Sequence, residues 1–96
     1  MINFTKVEGR DCGDIKLFAL STCIWCKKTK AYLNEHNIAY SYVNVDMLSG
    51  AEEEECLKEQ RKYDKGGTYP VIAIGESECI VGYDRDELDR LSRGME

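Results

Sequence analysis

No stretch of this chain approaches the ~18 consecutive apolar residues of a membrane span, and nothing from Met1 to Glu8 has the apolar core of a secretory signal, so neither bilayer insertion nor export is expected. Basic residues are in deficit. The 13 Lys and Arg stand against 18 Asp and Glu, a formal charge of −5, and the cations are scattered, which excludes a nucleic-acid footprint. Proline occurs once, at Pro70, and no repeat, linker or low-complexity tract is visible, so one compact core is expected. Five cysteines are too few for a disulfide scaffold, and their odd number suits a reducing compartment in which only a minority are redox-active. A cytoplasmic location is the resulting expectation. What is present, 43% hydrophobic and 32% charged residues, is the composition of a globular domain large enough to fold without metals or structural disulfides.

Within that background Cys23-Ile24-Trp25-Cys26 stands out, because it closes the apolar run Ile15 to Leu20 and opens a helix-like pattern. A helix beginning at Cys23 leaves its first N–H groups unpaired and carries a partial positive charge, both of which favour a thiolate over a thiol. Cysteines so placed ionise at roughly 3.5–7.5 rather than near the ~8.5 of a free cysteine, so Cys23 is the expected nucleophile at neutral pH. Lys27, Lys28 and Lys30 are expected to deepen the effect. A spacing of three places Cys26 one turn along the same face, close enough to form a disulfide and less exposed. An attacking and a resolving sulfur are the natural reading of that pair.

Along the chain, Asn3 to Val7 reads as a possible strand, and the turn-rich segment from Glu8 to Asp14 leads into a strand at Ile15 to Leu20. Helix one is predicted over Cys23 to His36, with Cys26, Thr29 and Leu33 on one stripe and Asn37 as its left-handed terminator. A strand follows at Tyr40 to Val45. Ser49 with Glu52 fits a capping box for a second helix over Gly50 to Asp64, ended by Gly66-Gly67. Pro70 to Ile74 and Glu78 to Val81, joined by Gly75-Glu76-Ser77, read as a hairpin, and Asp84 with Glu87 starts a last helix to about Arg93. The predicted order is β-α-β-α-β-β-α: a four-stranded mixed sheet flanked by helices, with a possible extra N-terminal strand. Residues 1–14 form an N-terminal extension in this reading and 15–96 the domain.

That order, with Cys-x-x-Cys at the first strand-to-helix junction and a proline opening the third core strand, resembles the thioredoxin fold, specifically its glutaredoxin branch. Three segments carry the likeness: Thr22-Cys23-Ile24-Trp25-Cys26, Thr68-Tyr69-Pro70 and Gly82-Tyr83-Asp84. The resemblance implies a thiol–disulfide oxidoreductase in which Cys23 attacks, Cys26 resolves, and Pro70 is a cis-proline facing the disulfide. Tyr69 would pair its backbone with the bound thiol's peptide, Thr22, Trp25 and Thr68 would border the groove, and Gly82, Tyr83 and Asp84 would line its other wall. No cofactor or metal is implied. Electrons would come from glutathione, another low-molecular-weight thiol or a flavoprotein reductase, and pass to disulfide-containing protein clients from a monomer. Glutathione-dependent members carry a lysine three residues before the nucleophile, where this chain has Leu20; Lys16 and Arg85 offer charges elsewhere. Leu20 therefore also aligns the chain with the NrdH-type redoxins, which take electrons from a thioredoxin-reductase-type enzyme and serve ribonucleotide reductase.

Competing uses of the same residues are half of a zinc site, an iron–sulfur ligand shared between subunits, and a peptide-binding groove beside Pro70 that ignores the thiols. Zinc lacks its second half, since Cys12, Cys56, Cys79 and His36 are isolated in the sequence. Cys79 is expected to be a buried apolar residue and Cys56 a partly buried one; Cys12, in a turn, could be exposed and modifiable, but the neighbouring acids disfavour its thiolate, so a regulatory role is the minority reading. Trp25 is expected to contribute to a docking surface, His36 to end a helix, and Glu52 to Glu55 to form a solvated face at a helix start.

Overall fold

The computed structural model describes residues 4–64, 66–76 and 78–93, and in it five strands and three helices follow the predicted order. The strands are β1 (Thr5–Val7), β2 (Ile15–Ala19), β3 (Tyr40–Asn44), β4 (Val71–Ile74) and β5 (Glu78–Val81); the helices are α1 (Ile24–Glu35), α2 (Gly50–Arg61) and α3 (Arg85–Arg93). The sheet order is β1-β3-β2-β4-β5. β2 and β3 are parallel, as a crossover through α1 requires, whereas β1–β3, β2–β4 and β4–β5 are antiparallel. The extra N-terminal strand exists and lies at the sheet edge; Asn3, at the start of the predicted strand, falls outside the described residues, as does Ser77 of the hairpin turn.

Alternation along the central strands sorts their side chains into two apolar layers. Leu17, Ala19, Ile72 and Ile80 point to the face covered by α1 and α3, where they meet Cys26, Tyr32, Leu33, Leu88 and Leu91. Phe18, Val71 and Ala73 point to the other face, where α2 brings Cys56. Helices on both faces thus leave the strand ends, and not the sheet surface, free to carry chemistry.

Several boundaries move for identifiable reasons. α1 ends in a Schellman arrangement: Asn37 has φ 54°, its N–H donates to Asn34, and Ile38 N–H donates to the Leu33 carbonyl at 2.9 Å. Before α2 the capping box does not form. Gly50 enters at φ +59°, and the Ser49 hydroxyl makes no bond to the first turn. α2 stops at Arg61, short of Asp64, because the Asp64 carboxylate accepts the N–H groups of Gly66 and Thr68 at 3.1 and 3.0 Å and shapes a loop instead. β3 ends at Asn44 since Val45–Met47 winds into a single 3₁₀ turn. β4 begins after Pro70, which has no N–H to give the ladder. α3 begins at Arg85, with Asp84 Oδ1 capping Glu87 N–H at 3.2 Å.

One cysteine expectation is overturned and one open choice is decided. Of the two environments open to Cys12, the fold selects burial, in the layer it shares with Ile15 and Leu91. Cys79 is exposed rather than buried: β5 is an edge strand, α2 covers the more central strands of that face, and the Cys79 thiol donates to the Tyr63 carbonyl. Cys56, expected to be partly buried, is fully buried, and burial pushes its thiol up to about 11. Burial raises Cys26 further, to about 12. Both groups are neutral in the fold above the pH at which an unfolded thiol, titrating near ~8.5, has lost its proton. The unfolded chain then binds fewer protons, so stability is full below that pH and falls as pH rises toward the folded values. The melting temperature should therefore decline between about pH 9 and pH 12, and Cys56→Ala should flatten that decline; an unchanged slope in the variant would contradict this account.

Candidate active site

β2 ends at Ala19, and the following turn is closed by Cys23 N–H donating to the Leu20 carbonyl at 3.2 Å. Cys23 is the N-cap of α1, in extended conformation at φ −82° and ψ 117°. Its Sγ occupies the place where a capping serine would put its oxygen, and it accepts the Cys26 N–H at 3.3 Å. The free N–H groups and positive end of the helix dipole thus converge on a half-exposed sulfur. Cys26, one turn on, is fully buried. Its thiol is pushed up to about 12, first by burial and then by its hydrogen bond with Cys23, which favours a retained proton at Cys26. Within the first turns of α1 the buried Thr29 hydroxyl donates back to the Trp25 carbonyl at 2.8 Å.

The remaining residues singled out from the sequence fall into three groups. Trp25 is 51% exposed and stacks on Tyr83 with ring centroids 5.7 Å apart, while Lys28 Nζ lies 4.7 Å from the indole centroid. Contact with both a cation and a second ring restrains the indole two residues from Cys23. The Tyr69–Pro70 peptide bond is cis, and the Pro70 carbonyl accepts Gly82 N–H at 2.7 Å, which joins the Thr68 to Pro70 segment to the Gly82 to Asp84 segment. Cys23, Tyr69 and Tyr83 all pack on the core layer that holds Cys26. Thr22 and Asp84 are exposed; Asp84 is occupied as the α3 cap, and Thr22 bonds to no described residue.

Three further residues position the site and escaped the sequence reading. Asp46, in the 3₁₀ turn after β3, accepts Ser21 N–H at 2.8 Å and Ser21 Oγ–H at 2.5 Å, tying down the turn that precedes Cys23. Those bonds hold the Asp46 carboxyl below the usual carboxylate range. Gln60, buried on α2, donates to the Thr68 carbonyl at 3.2 Å, and Asp64 receives the Thr68 N–H, so both backbone groups of Thr68 are secured ahead of the cis bond. Backbone hydrogen bonds of Gly66 and Thr68 likewise hold Asp64 below the usual range. Such contacts have no local signature, although an acid just past a strand parallel to the motif strand is a usable hint for Asp46: Ala19 and Asn44 are register partners. The charges offered at Lys16 and Arg85 are engaged elsewhere, Lys16 Nζ 5.7 Å from the Phe4 ring centroid and Arg85 beside Asp89 and Tyr32.

With this geometry in view, comparison with known proteins is direct. Residues 15–79 match the family model described as glutaredoxin. An uncharacterised glutaredoxin-like 8.6 kDa protein from the rubredoxin operon of Clostridium pasteurianum is 40% identical over 77 residues, covering 80% of this chain and 95% of that one. The crystal structure of the glutaredoxin from Methanosarcina mazei Go1 superposes with a TM-score of 0.85 at 35% identity, over 95% of this chain and 96% of the other. That of Methanosarcina acetivorans methanoredoxin gives a TM-score of 0.83 at 31% identity, over 86% and 87% of the two chains. Among the described residues no helix is long and apolar enough to cross a membrane.

Proposed function

Since this chain belongs to the glutaredoxin family, we propose that it is a dithiol thiol–disulfide oxidoreductase working through Cys23 and Cys26. The observation that carries this reading is the Cys23 sulfur at the α1 N-cap, half-exposed and hydrogen-bonded by Cys26 N–H, with a buried, protonated thiol directly behind it. Cys23 thiolate attacks one sulfur of a client disulfide, releases the first client thiol and is left in a mixed disulfide. Cys26 then attacks Cys23, expels the second client thiol and forms the Cys23–Cys26 disulfide. Two electrons have passed to the client. The helix dipole that stabilises Cys23 as a nucleophile also stabilises it as the leaving group when the internal disulfide is reduced again. Thr68, Tyr69 and Pro70 offer backbone to the client segment, Thr22 and Trp25 border it, and Gly82, Tyr83 and Asp84 form the facing wall. A reduced dithiol of this kind works, as a monomer and without a bound cofactor, in a reducing compartment such as the cytoplasm.

Leu20 bears on the electron donor, because it supplies no cation for a glutathione carboxylate next to the nucleophile, and Lys16 and Arg85 are held by other partners. Electrons are therefore expected from a thioredoxin-reductase-type flavoenzyme, or from another low-molecular-weight thiol, at least as readily as from glutathione. Reduction of an insulin disulfide by the protein, coupled in parallel to glutathione with its reductase and to thioredoxin reductase, tests both levels. Turnover supported by glutathione alone would overturn the donor assignment, and no turnover with any reductant would overturn the enzymatic reading.

A further inference from the structure

Three lysines follow the thiol pair, and their ammonium groups have different surroundings. Lys28 lies over Trp25, and Lys27 is exposed. Lys30 is half-buried and sits four residues after Cys26, one turn along the same helical face. Its Nζ donates to Asn44 Oδ1 at 3.3 Å and rests 4.1 Å from the Tyr42 ring centroid. Both anchors belong to β3, so the cation is clamped between α1 and the sheet and not free to sweep through solvent. Asp46, in the 3₁₀ turn that follows this strand, feels this charge too.

Cys26 needs such a neighbour. It is fully buried, and the second half of the proposed reaction requires its thiol to lose a proton in an apolar layer. Burial weighs most against its ionisation, and among the groups that act on it the Leu20 backbone hydrogen bond and the Lys30 charge favour the thiolate. Before capture, Cys23 itself opposes ionisation of Cys26, through their hydrogen bond and by like charge. Once Cys23 is bound in a neutral mixed disulfide, both of those oppositions vanish. Burial is left against the Leu20 backbone and the Lys30 charge.

Building on the dithiol reading above, we propose that Lys30 is a positioning residue for the resolving step: its ammonium group, fixed by Asn44 and Tyr42, favours the Cys26 thiolate that attacks the mixed disulfide. The step balances. The Cys26 proton passes to solvent, a Cys26–Cys23 bond forms as the bond between Cys23 and the client sulfur breaks, and the client leaves as a thiolate that takes up a proton. Overall, one disulfide and two protein thiols become two client thiols and one internal disulfide. Lys30 thus acts on the second step and leaves the first to the helix terminus.

A symmetrical chromogenic aromatic disulfide separates the steps, because attack by Cys23 releases the first coloured thiolate and resolution by Cys26 releases the second. In stopped-flow measurements on the full chain, Lys30→Met should leave the first phase within about twofold and slow the second about tenfold, the effect of one pKa unit on the thiolate fraction. Lys30→Arg should restore most of the second phase, and Asn44→Ala should fall between. A retained first phase reports an intact fold. An unchanged second phase in Lys30→Met, or equal slowing of both phases, would overturn the assignment of Lys30. A wild-type protein that releases only one coloured equivalent and forms no internal disulfide would instead overturn the dithiol reading itself.

Discussion

Cys23→Ser is expected to abolish disulfide exchange, lowering turnover by at least about 10³-fold while the fold is retained. A serine hydroxyl is not ionised by one helix terminus at neutral pH, and an oxygen bonded to a client sulfur has no counterpart in the exchange chemistry. The substitution is mild structurally: serine is a favoured N-cap, and its oxygen takes over the Cys26 N–H that Sγ accepts at 3.3 Å. Nor does Cys26 substitute for the lost nucleophile. It is fully buried behind residue 23, and burial, the largest cause of its raised value, persists in the variant. Circular dichroism should superpose on the wild type. Exchange at the wild-type rate by this variant would exclude the mechanism.

Cys26→Ser should have the opposite signature, with capture intact and release lost. The variant still presents Cys23 at the N-cap, and its backbone N–H at residue 26 still donates to the sulfur. Attack therefore proceeds, but no internal thiol is present to expel the client. Mass spectrometry of the variant mixed with a disulfide-containing protein should find a stable one-to-one adduct through Cys23, which the wild type turns over. Turnover is expected to fall by at least about tenfold unless an external thiol is added to resolve the adduct. Rapid clearance of the adduct without added thiol would mean that another cysteine resolves it. Cys12 and Cys56 are buried, and Cys79 lies on the edge strand hydrogen-bonded to Tyr63, so none of them is offered by the fold for that task.

Both variants act on residues that were legible from four positions of sequence. A cysteine at the junction of an apolar strand run and a helical stripe is an N-cap by local geometry, and a spacing of three puts the second thiol one turn behind it. The relation of Asp84 to Glu87 was legible in the same way, as was the left-handed Asn37, because caps and terminators involve residues within one turn of each other. Ser49 with Glu52 shows the limit of that logic. The spacing is right, but Gly50 takes φ +59° and the box stays open.

Other features required the assembled sheet. Asp46 reaches Ser21, 25 residues away, only because β2 and β3 run parallel and end side by side. Lys30 reaches Asn44, 14 residues away, only because α1 and β3 meet in the folded chain. Cys12 and Cys79 owe their environments to packing and strand order: Cys12 joins the buried layer of Ile15 and Leu91, while β5 leaves Cys79 at the sheet edge. The amino-acid sequence by itself determined the Cys23–Cys26 spacing at a helix start and the order of elements, since periodicity and capping are set by residues close along the chain, and its motifs carried the resemblance to the family. Which charges lie beside which groups, and which cysteines see solvent, only the tertiary structure decided, because burial and electrostatics depend on groups that meet in space after long stretches of chain have folded between them.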